Sequence, residues 1–352
     1  MFRITTRVWL VTALILATAG LRGASAQDLL NQDWTLDPRL SHVYLQTTKN
    51  VTTVEKHQFT AVEGGITKDG LATIKIDLGT IDTGIDLRNV RMRFLLFETF
   101  KFPNAEITAQ LDKAKLAPLA SRTPVQYLLP VNVNLHGISR QIEIPVVITR
   151  TGDATVSVVA TQPVVVAAES FGFPQGINKL SEAVNGVPIV PEAQVTFDLV
   201  FGTGALKPEL DVARAGREQV RAKEETAAIT AEGCETRLTV MTESNAIYFR
   251  TGSHELDIKS APLLDAGADI VSRCPTVHLE VEGHTDSVGG KRYNQRLSEQ
   301  RAKEVVDYFT AKGIAVARIQ SKGFGDTQPV APNDVEANRA KNRRIEFKVK
   351  KD

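Results

Sequence analysis

The chain of 352 residues is short of several things that would settle its class at once. Aromatic residues make up 6% of it, too few for the two interfacial girdles of a transmembrane β-barrel. Apart from a short apolar run near Met1, no stretch approaches the ~20 apolar residues of a membrane-spanning helix. The net charge is only +1, so there is no general pull toward nucleic acid or anionic lipid, and partner choice must rest on local sites. His-Glu-x-x-His, Cys-x-x-Cys and phosphate-binding glycine loops are all missing. Neither catalysis, nor a metal, nor a resident cofactor is expected.

Cysteine is scarce too, and its two copies say something about compartment. Met1 to Ala26 carries Arg3 and Arg7, an apolar run from Val8 to Leu21, and Ala24-Ser25-Ala26 before Gln27. That is the charged, apolar and small-residue order of a secretory signal, expected to be removed. No cysteine follows the cleavage point, which leaves no site for a lipoprotein anchor, so the mature protein is expected to be soluble or peripheral in the periplasm. Export puts Cys234 and Cys274 in an oxidising compartment where pairing is expected; two unrelated free thiols are the alternative. A bridge closing about 40 residues stabilises by roughly 4 kcal/mol on the chain-entropy model.

Composition divides the remainder into two domains and a joint, and 42% hydrophobic content supplies a core for each. From Trp34 to Phe201 apolar and polar residues alternate, as in Ala72 to Leu78, Val131 to Leu135, Ile142 to Ile144 and Val195 to Leu199. This period of two predicts strands with one buried face, giving an all-β barrel or sandwich over 27–202. Residues 203–232, above all Pro208 to Ala231, turn to Glu, Arg, Lys and Ala without an apolar stripe, predicting a charged, partly helical linker. Over 233–352 strands and helices alternate: Ala246 to Phe249 extended, Ser260 to Ser272 helical, Val277 to Gly283 extended, Tyr293 to Lys312 helical, Arg344 to Val349 extended.

The last domain carries the most specific pattern. The strand ending at Gly283 opens into His284, Thr285, Asp286 and Ser287, and a helix beginning near Tyr293 follows. Asn294, Leu297 and Arg301 fall at i, i+3 and i+7, one helix face that points Arg301 back at the loop of Asp286. A carboxylate and a guanidinium flanking one pocket suit a zwitterion, because Arg grips a carboxylate and Asp accepts from an ammonium.

Together with Tyr293-Asn294, Gly323-Phe324-Gly325, Pro329 and Asn338 to Arg344, this run resembles the OmpA-like peptidoglycan-binding domain over about 110 residues. The resemblance implies an α+β domain with a βαβαββ-type mixed sheet. It also implies that Asp286 and Arg301 clamp the free amino-acid end of meso-diaminopimelate in the peptide stem, with Asn294 and Arg343 in support and Leu297 at the pocket wall. One departure is Asn338-Arg339, where members often have Gly-Arg.

Other constellations read as coincidence. His284, Asp286 and Ser287 sit on one tight loop and cannot converge on one reacting atom. Glu280 and Glu282 share a strand face and read as a solvated pair rather than an acid/base couple.

In the first domain, Trp34 to Asp37, Ser41-His42, Gly64-Gly65-Ile66, Ile81 to Gly84 with Arg88, Met92 to Phe102 before Pro103, and Leu135-His136-Gly137 resemble the YceI-like family. This implies a lipocalin-like barrel holding a long isoprenoid lipid, such as a quinone, in an apolar tunnel. Arg88-Asn89 stands where that family usually reads Arg-Asp. Phe94, Phe97, Phe100 and Phe102 are the rings expected to line the tunnel, each weighed against an ordinary core role; Val164 to Val166 and Phe171 read as core. YceI-like domains often pair, so a homodimer is kept among the expected partners. The function expected is a noncatalytic periplasmic binding protein docked on peptidoglycan. The competing reading is an outer-membrane barrel tethered to the wall, with 33–202 in lipid.

Overall fold

The computed structural model describes residues 31–203 and 227–350, with 212 and 215 between them. The expected leader, and most of the expected linker, lie outside the described residues.

Twelve strands build the first domain: β1 (Trp34–Leu36), β2 (His42–Lys49), β3 (Thr53–Phe59), β4 (Val62–Ile66), β5 (Leu71–Asp77), β6 (Ile81–Asp82), β7 (Asn104–Gln110), β8 (Val125–Leu135), β9 (Ile138–Arg150), β10 (Thr155–Ala160), β11 (Val164–Ala167) and β12 (Ile189–Thr203). Neighbours run β1-β4-β5-β7-β8-β9-β10-β12, and β12 pairs back to β1, which closes an eight-strand barrel; β2, β3, β6 and β11 extend it from β12. Closure leaves no open edge among those eight, satisfying the backbone without a partner chain. β12 serves both halves because it is 15 residues long: Asp198 to Thr203 pair with β10 and β1, and Ala193 to Asp198 pair with β2, where the register shifts between Ile189 and Ala193 around Pro191.

The alternation in the sequence decides which face is inside. On β8 the residues Val125, Tyr127 and Val131 are buried, whereas Gln126, Leu128, Pro130, Asn132 and Asn134 are exposed. An outer face of amides is the reverse of a lipid-facing band, so the membrane-barrel reading does not fit. No helix among the described residues is long and apolar enough to cross a membrane. The β8–β9 hairpin turns on His136 and Gly137, both at positive φ (55° and 74°), as a two-residue primed turn requires.

Besides a short turn of helix at Lys113–Leu116, two helices interrupt the barrel: α1 (Asp86–Arg91), which runs on as a π-helical turn over Met92–Leu96, and α2 (Pro174–Ala183). Alternation could not predict either, because their period is that of a helix.

The second domain has α3 (Ala231–Ser244), α4 (Ala261–Ser272), β13 (His278–Gly283), α5 (Lys291–Ala311), β14 (Ile319–Gly323), α6 (Glu336–Asn342) and β15 (Ile345–Lys350). β13 is central, parallel to β14 and antiparallel to β15. The expected first strand at Ala246 to Phe249 shrinks to one bridge, Phe249 to Leu256, so the sheet has three strands rather than four. Helix α3 starts inside the stretch read as linker, capped by the Thr230 side chain accepting from Gly233 N. Cys234 and Cys274 are joined in a disulfide that ties α3 to the end of α4, beneath a core of Leu238, Met241, Leu263, Leu264 and Phe309.

Candidate functional sites

The loop after β13 sits where it does because helix α5 lies almost on the strand ends. A Cβ on Gly283 would stand 2.2 Å from the Ser298 carbonyl oxygen, and one on Gly323 would stand 2.4 Å from Glu299 N. Only glycine permits that approach. The Ser298 hydroxyl accepts from Gly325 N at 2.8 Å and donates to the Gln295 carbonyl at 2.8 Å, which locks loop to helix.

On this platform Asp286 is buried. Its Oδ1 accepts from Val288 N at 2.9 Å, and its Oδ2 accepts from Arg343 Nη1 at 2.7 Å. Asn294 Nδ2 donates to the Asp286 carbonyl at 3.2 Å, fixing the loop from beneath. Arg343 also donates to Glu336 Oε1 at 2.6 Å. Burial, the largest single influence on Arg343, opposes its charge, yet Asp286 and Glu336 together raise its pKa above the usual arginine value.

Arg301 is oriented otherwise. Its Nε donates to the Ser253 carbonyl at 3.0 Å, and its guanidinium lies over the Phe249 ring at 4.9 Å. Burial lowers its pKa, Asp286 and Tyr293 pull it upward, and Arg343 pushes it further down. With one nitrogen fixed and the plane set by a ring, the rest of the fork is preorganised for a carboxylate. Leu297 is buried one turn before it on α5.

Inside the barrel lies a cavity of about 930 Å³, at the upper end of the roughly 300–1,000 Å³ usual for ligand sites. Its aromatic lining is Trp34 with Phe59, Phe97, Phe171, Phe173, Phe197 and Phe201, with Phe97 6.0 Å from Phe59 and 5.9 Å from Phe173 between centroids. One part of the wall is polar. Glu55 Oε1 accepts from Lys49 Nζ at 2.6 Å and Arg88 Nη1 at 2.5 Å, and Thr47 Oγ1 lies 2.9 Å from His57 Nε2. Burial, then the Arg88 charge, lowers the His57 pKa and favours the neutral ring.

Comparison with known proteins places these two sites in two families. Residues 34–201 match the YceI-like domain model and residues 248–343 match the OmpA family model. The peptidoglycan-associated lipoprotein of Buchnera aphidicola is 30% identical over 128 residues, 36% of this chain and 74% of that protein.

The chain joins a YceI-like domain to an OmpA-family domain.

Other relatives match the OmpA-family domain over shorter stretches. Outer membrane porin F of Pseudomonas fluorescens is 46% identical over 82 residues, 23% of this chain and 25% of that protein. Peptidoglycan-binding protein ArfA of Mycobacterium tuberculosis is 41% identical over 87 residues, 25% of this chain and 27% of that protein. The chain thus spans only about a quarter of those two relatives. Among solved structures, a polyisoprenoid binding domain from Saccharophagus degradans aligns with 29% identity and a TM-score of 0.47, covering 48% of this chain and 98% of its own.

Within the OmpA-family domain, the residues singled out from sequence are brought together: Asp286, Asn294 and Arg343 by direct hydrogen bonds, with Arg301 and Leu297 on the same helix as Asn294. Sequence reasoning missed Phe249 and Ser253, which orient Arg301; an aromatic in a short apolar run just before a Gly-Ser turn was the available signal. Glu280 and Glu282 are not solvated, as expected, but buried. Central β13 is covered on both faces, and Lys350 pairs with Glu280 at 3.2 Å. Burial and the hydrogen bond with Glu280 raise the Glu282 pKa.

His284, Glu282 and Glu346 have the donor types of a metal site, with the imidazole Nε2 3.9 Å from an oxygen of each carboxylate. Glu346 is, however, already neutralised by Arg344 at 2.5 Å and Lys348 at 2.6 Å, so the cluster carries its own cations. His284 stacks on Phe324, and neither ring nitrogen has a hydrogen-bond partner.

The ring assignment in the YceI-like domain needs correction. Of the four phenylalanines expected to share the tunnel, only Phe97 lines it. Phe94 and Phe100 stack at 6.0 Å and pack against the OmpA-family core, and Phe102 lies against His136 at 4.5 Å. Phe94 lies in the π-helical turn and Phe97 caps it, whereas Phe100 and Phe102 follow in and just after the turn beyond, so the four rings face different ways. Phe171 belongs to the barrel core as read, with Val164 and Val166 packed against it, and all three also border the cavity. Glu55 and His57 were missed; two polar residues in the inward row that ends at Phe59 were the signal.

Proposed function

We propose that this protein is a noncatalytic binding protein of the bacterial cell envelope. The OmpA-family domain attaches it to peptidoglycan in the periplasm through the meso-diaminopimelate head group, and the YceI-like barrel holds an isoprenoid-class lipid. The observation that carries the first half is the buried Asp286, hydrogen-bonded to Arg343 and flanked by Arg301 on α5. That set offers a carboxylate to an ammonium and a guanidinium to a carboxylate, the two demands of an amino-acid end. The names of the Buchnera and mycobacterial relatives support the same ligand class. The second half rests on the apolar cavity, where each Å² of hydrocarbon removed from water gains roughly 25 cal/mol.

Co-sedimentation with purified sacculi tests the wall reading: the wild type should pellet and an Asp286→Ala, Arg301→Ala double variant should stay in solution. Equal pelleting of the two would end it. Native mass spectrometry of protein taken from cells tests the lipid reading, with a retained apolar mass expected and a ligand-free spectrum counting against it.

A further inference from the structure

The segment Asp86 to Phe97 has two faces with different occupants. Leu87, Arg88, Arg91, Met92, Leu96 and Phe97 line the barrel cavity. Val90 and Leu95, buried on the other side, form one apolar cluster with Val240 of α3, with Phe94, Leu180 and Ala183 packed around it. Phe94 and Phe100 reach further, onto the core of the OmpA-family domain. The wall of the cavity is therefore backed by the other domain.

Polar contacts run along the same seam. Arg91, itself a cavity residue, has Nη2 3.4 Å from Glu243 Oε1. Lys179 Nζ on α2 donates to the Ser244 carbonyl at 2.6 Å, capping the end of α3. At the far edge Lys341 pairs with Glu182 at 3.1 Å, two residues from the clamp's Arg343. A helical turn of this length, with a π-helical continuation, has little stability of its own and depends on what packs against it.

We propose that Val240 and Glu243 of the OmpA-family domain are positioning residues of the lipid site. They hold segment 86–97 as the cavity wall, so the barrel retains its ligand only while α3 is docked. This rests on the lipid reading given above. It also makes the fusion of the two domains functional, since the domain that would grip the wall is the one that backs the cavity.

The test uses the full chain loaded with solanesol, a long polyprenol, and follows its release into phosphatidylcholine vesicles. Amide hydrogen exchange of residues 86–97 and sacculus co-sedimentation are measured on the same samples. Glu243→Lys sets a cation against Arg91, and Val240→Asp sets a carboxylate in the apolar cluster; each should speed solanesol release about tenfold or more and raise exchange at 86–97, with sacculus binding intact. The conservative Glu243→Asp should keep the wild-type rate. If Val240→Asp fails to fold, Glu243→Lys, at a partly exposed position, carries the comparison. Unchanged release while exchange at 86–97 has risen overturns the proposal, and so does unchanged exchange in the folded Glu243→Lys variant. A wild type that takes up no solanesol overturns the lipid reading itself, a result distinguishable because the exchange readout needs no ligand.

Discussion

Arg343 and Asp286 meet at 2.7 Å and tie the start of β15 to the loop after β13. The same guanidinium reaches Glu336 at 2.6 Å, so one planar fork spans two carboxylates that a lysine ammonium could not hold in the same geometry. Arg343→Ala leaves the Asp286 carboxylate buried without that donor, a cost of about 1–3 kcal/mol. The expected result is a lower melting temperature for the OmpA-family domain and weaker pelleting with sacculi. Arg343→Lys should recover part of the stability and less of the binding. Full sacculus binding by Arg343→Ala would remove this residue from the site.

The disulfide predicts a local effect. Cys234 and Cys274, 40 residues apart, join α3 to the end of α4 within one domain. Replacing both by serine should destabilise that domain by about 2–4 kcal/mol. The barrel, which contains neither residue, should keep its own denaturation midpoint. Because α3 also backs the cavity wall, release of an apolar probe should quicken in the serine variant as the domain loosens. Titration with urea, monitored at barrel and OmpA-family reporters separately, checks the division.

Gly283→Ala probes the seat of the clamp. The added methyl would stand 2.2 Å from the Ser298 carbonyl, a backbone atom that cannot swing aside, so α5 must shift. Overpacking of this kind costs typically about 1–3 kcal/mol. Since Asn294 and Arg301 ride on α5, the displacement should weaken sacculus binding more than stability alone accounts for. A variant that folds with wild-type binding would show that the loop and helix are positioned some other way.

His284 predicts a pH dependence. Burial, then the Arg344 charge, lowers its pKa from 6.5 to about 4. A folded-state value below the unfolded one means the neutral form is favoured by folding. That stability is complete above the unfolded pKa and is lost as pH falls from 6.5 through 4. The interval corresponds to about 3 kcal/mol at roughly 1.36 kcal/mol per unit. Neither ring nitrogen has a hydrogen-bond partner, so His284→Phe gives up no bond and keeps the stack on Phe324. Thermal melts between pH 7 and pH 4.5 should slope for the wild type and flatten for His284→Phe.

Much of the fold was legible because burial in a barrel has period two. The alternation from Val131 to Leu135 announces a strand, and it forms the second half of β8. The contact between Asn294 and the Asp286 carbonyl was legible for a different reason: the two lie within one loop and the first turn of the helix after it, where chain geometry fixes who can meet. What stayed hidden depends on contacts far apart in sequence. Ser253 meets Arg301 across 48 residues, and Arg91 meets Glu243 across 152. The helical turn at 86–97 was hidden by its own composition, since a run rich in Phe and Leu reads the same as a buried strand or a helix.

That ambiguity yields the sharpest comparison among the rings. Phe97 faces the cavity between Phe59 and Phe173, whereas Phe102 lies against His136 and would collide with any side chain at Gly137, outside the lining. Phe97 is buried and Phe102 half-buried; truncating a buried ring to alanine in an ordinary core costs about 3–5 kcal/mol. For Phe97 the loss should be smaller, because the space it leaves merges with a cavity already open. The two should separate on ligand retention: Phe97→Ala sheds apolar contact that a bound polyprenol would use, and Phe102→Ala leaves the lining intact. Solanesol release is therefore expected to quicken for Phe97→Ala and to stay at the wild-type rate for Phe102→Ala. Equal release from both would mean that general loosening of the barrel, and not the lining ring, governs retention.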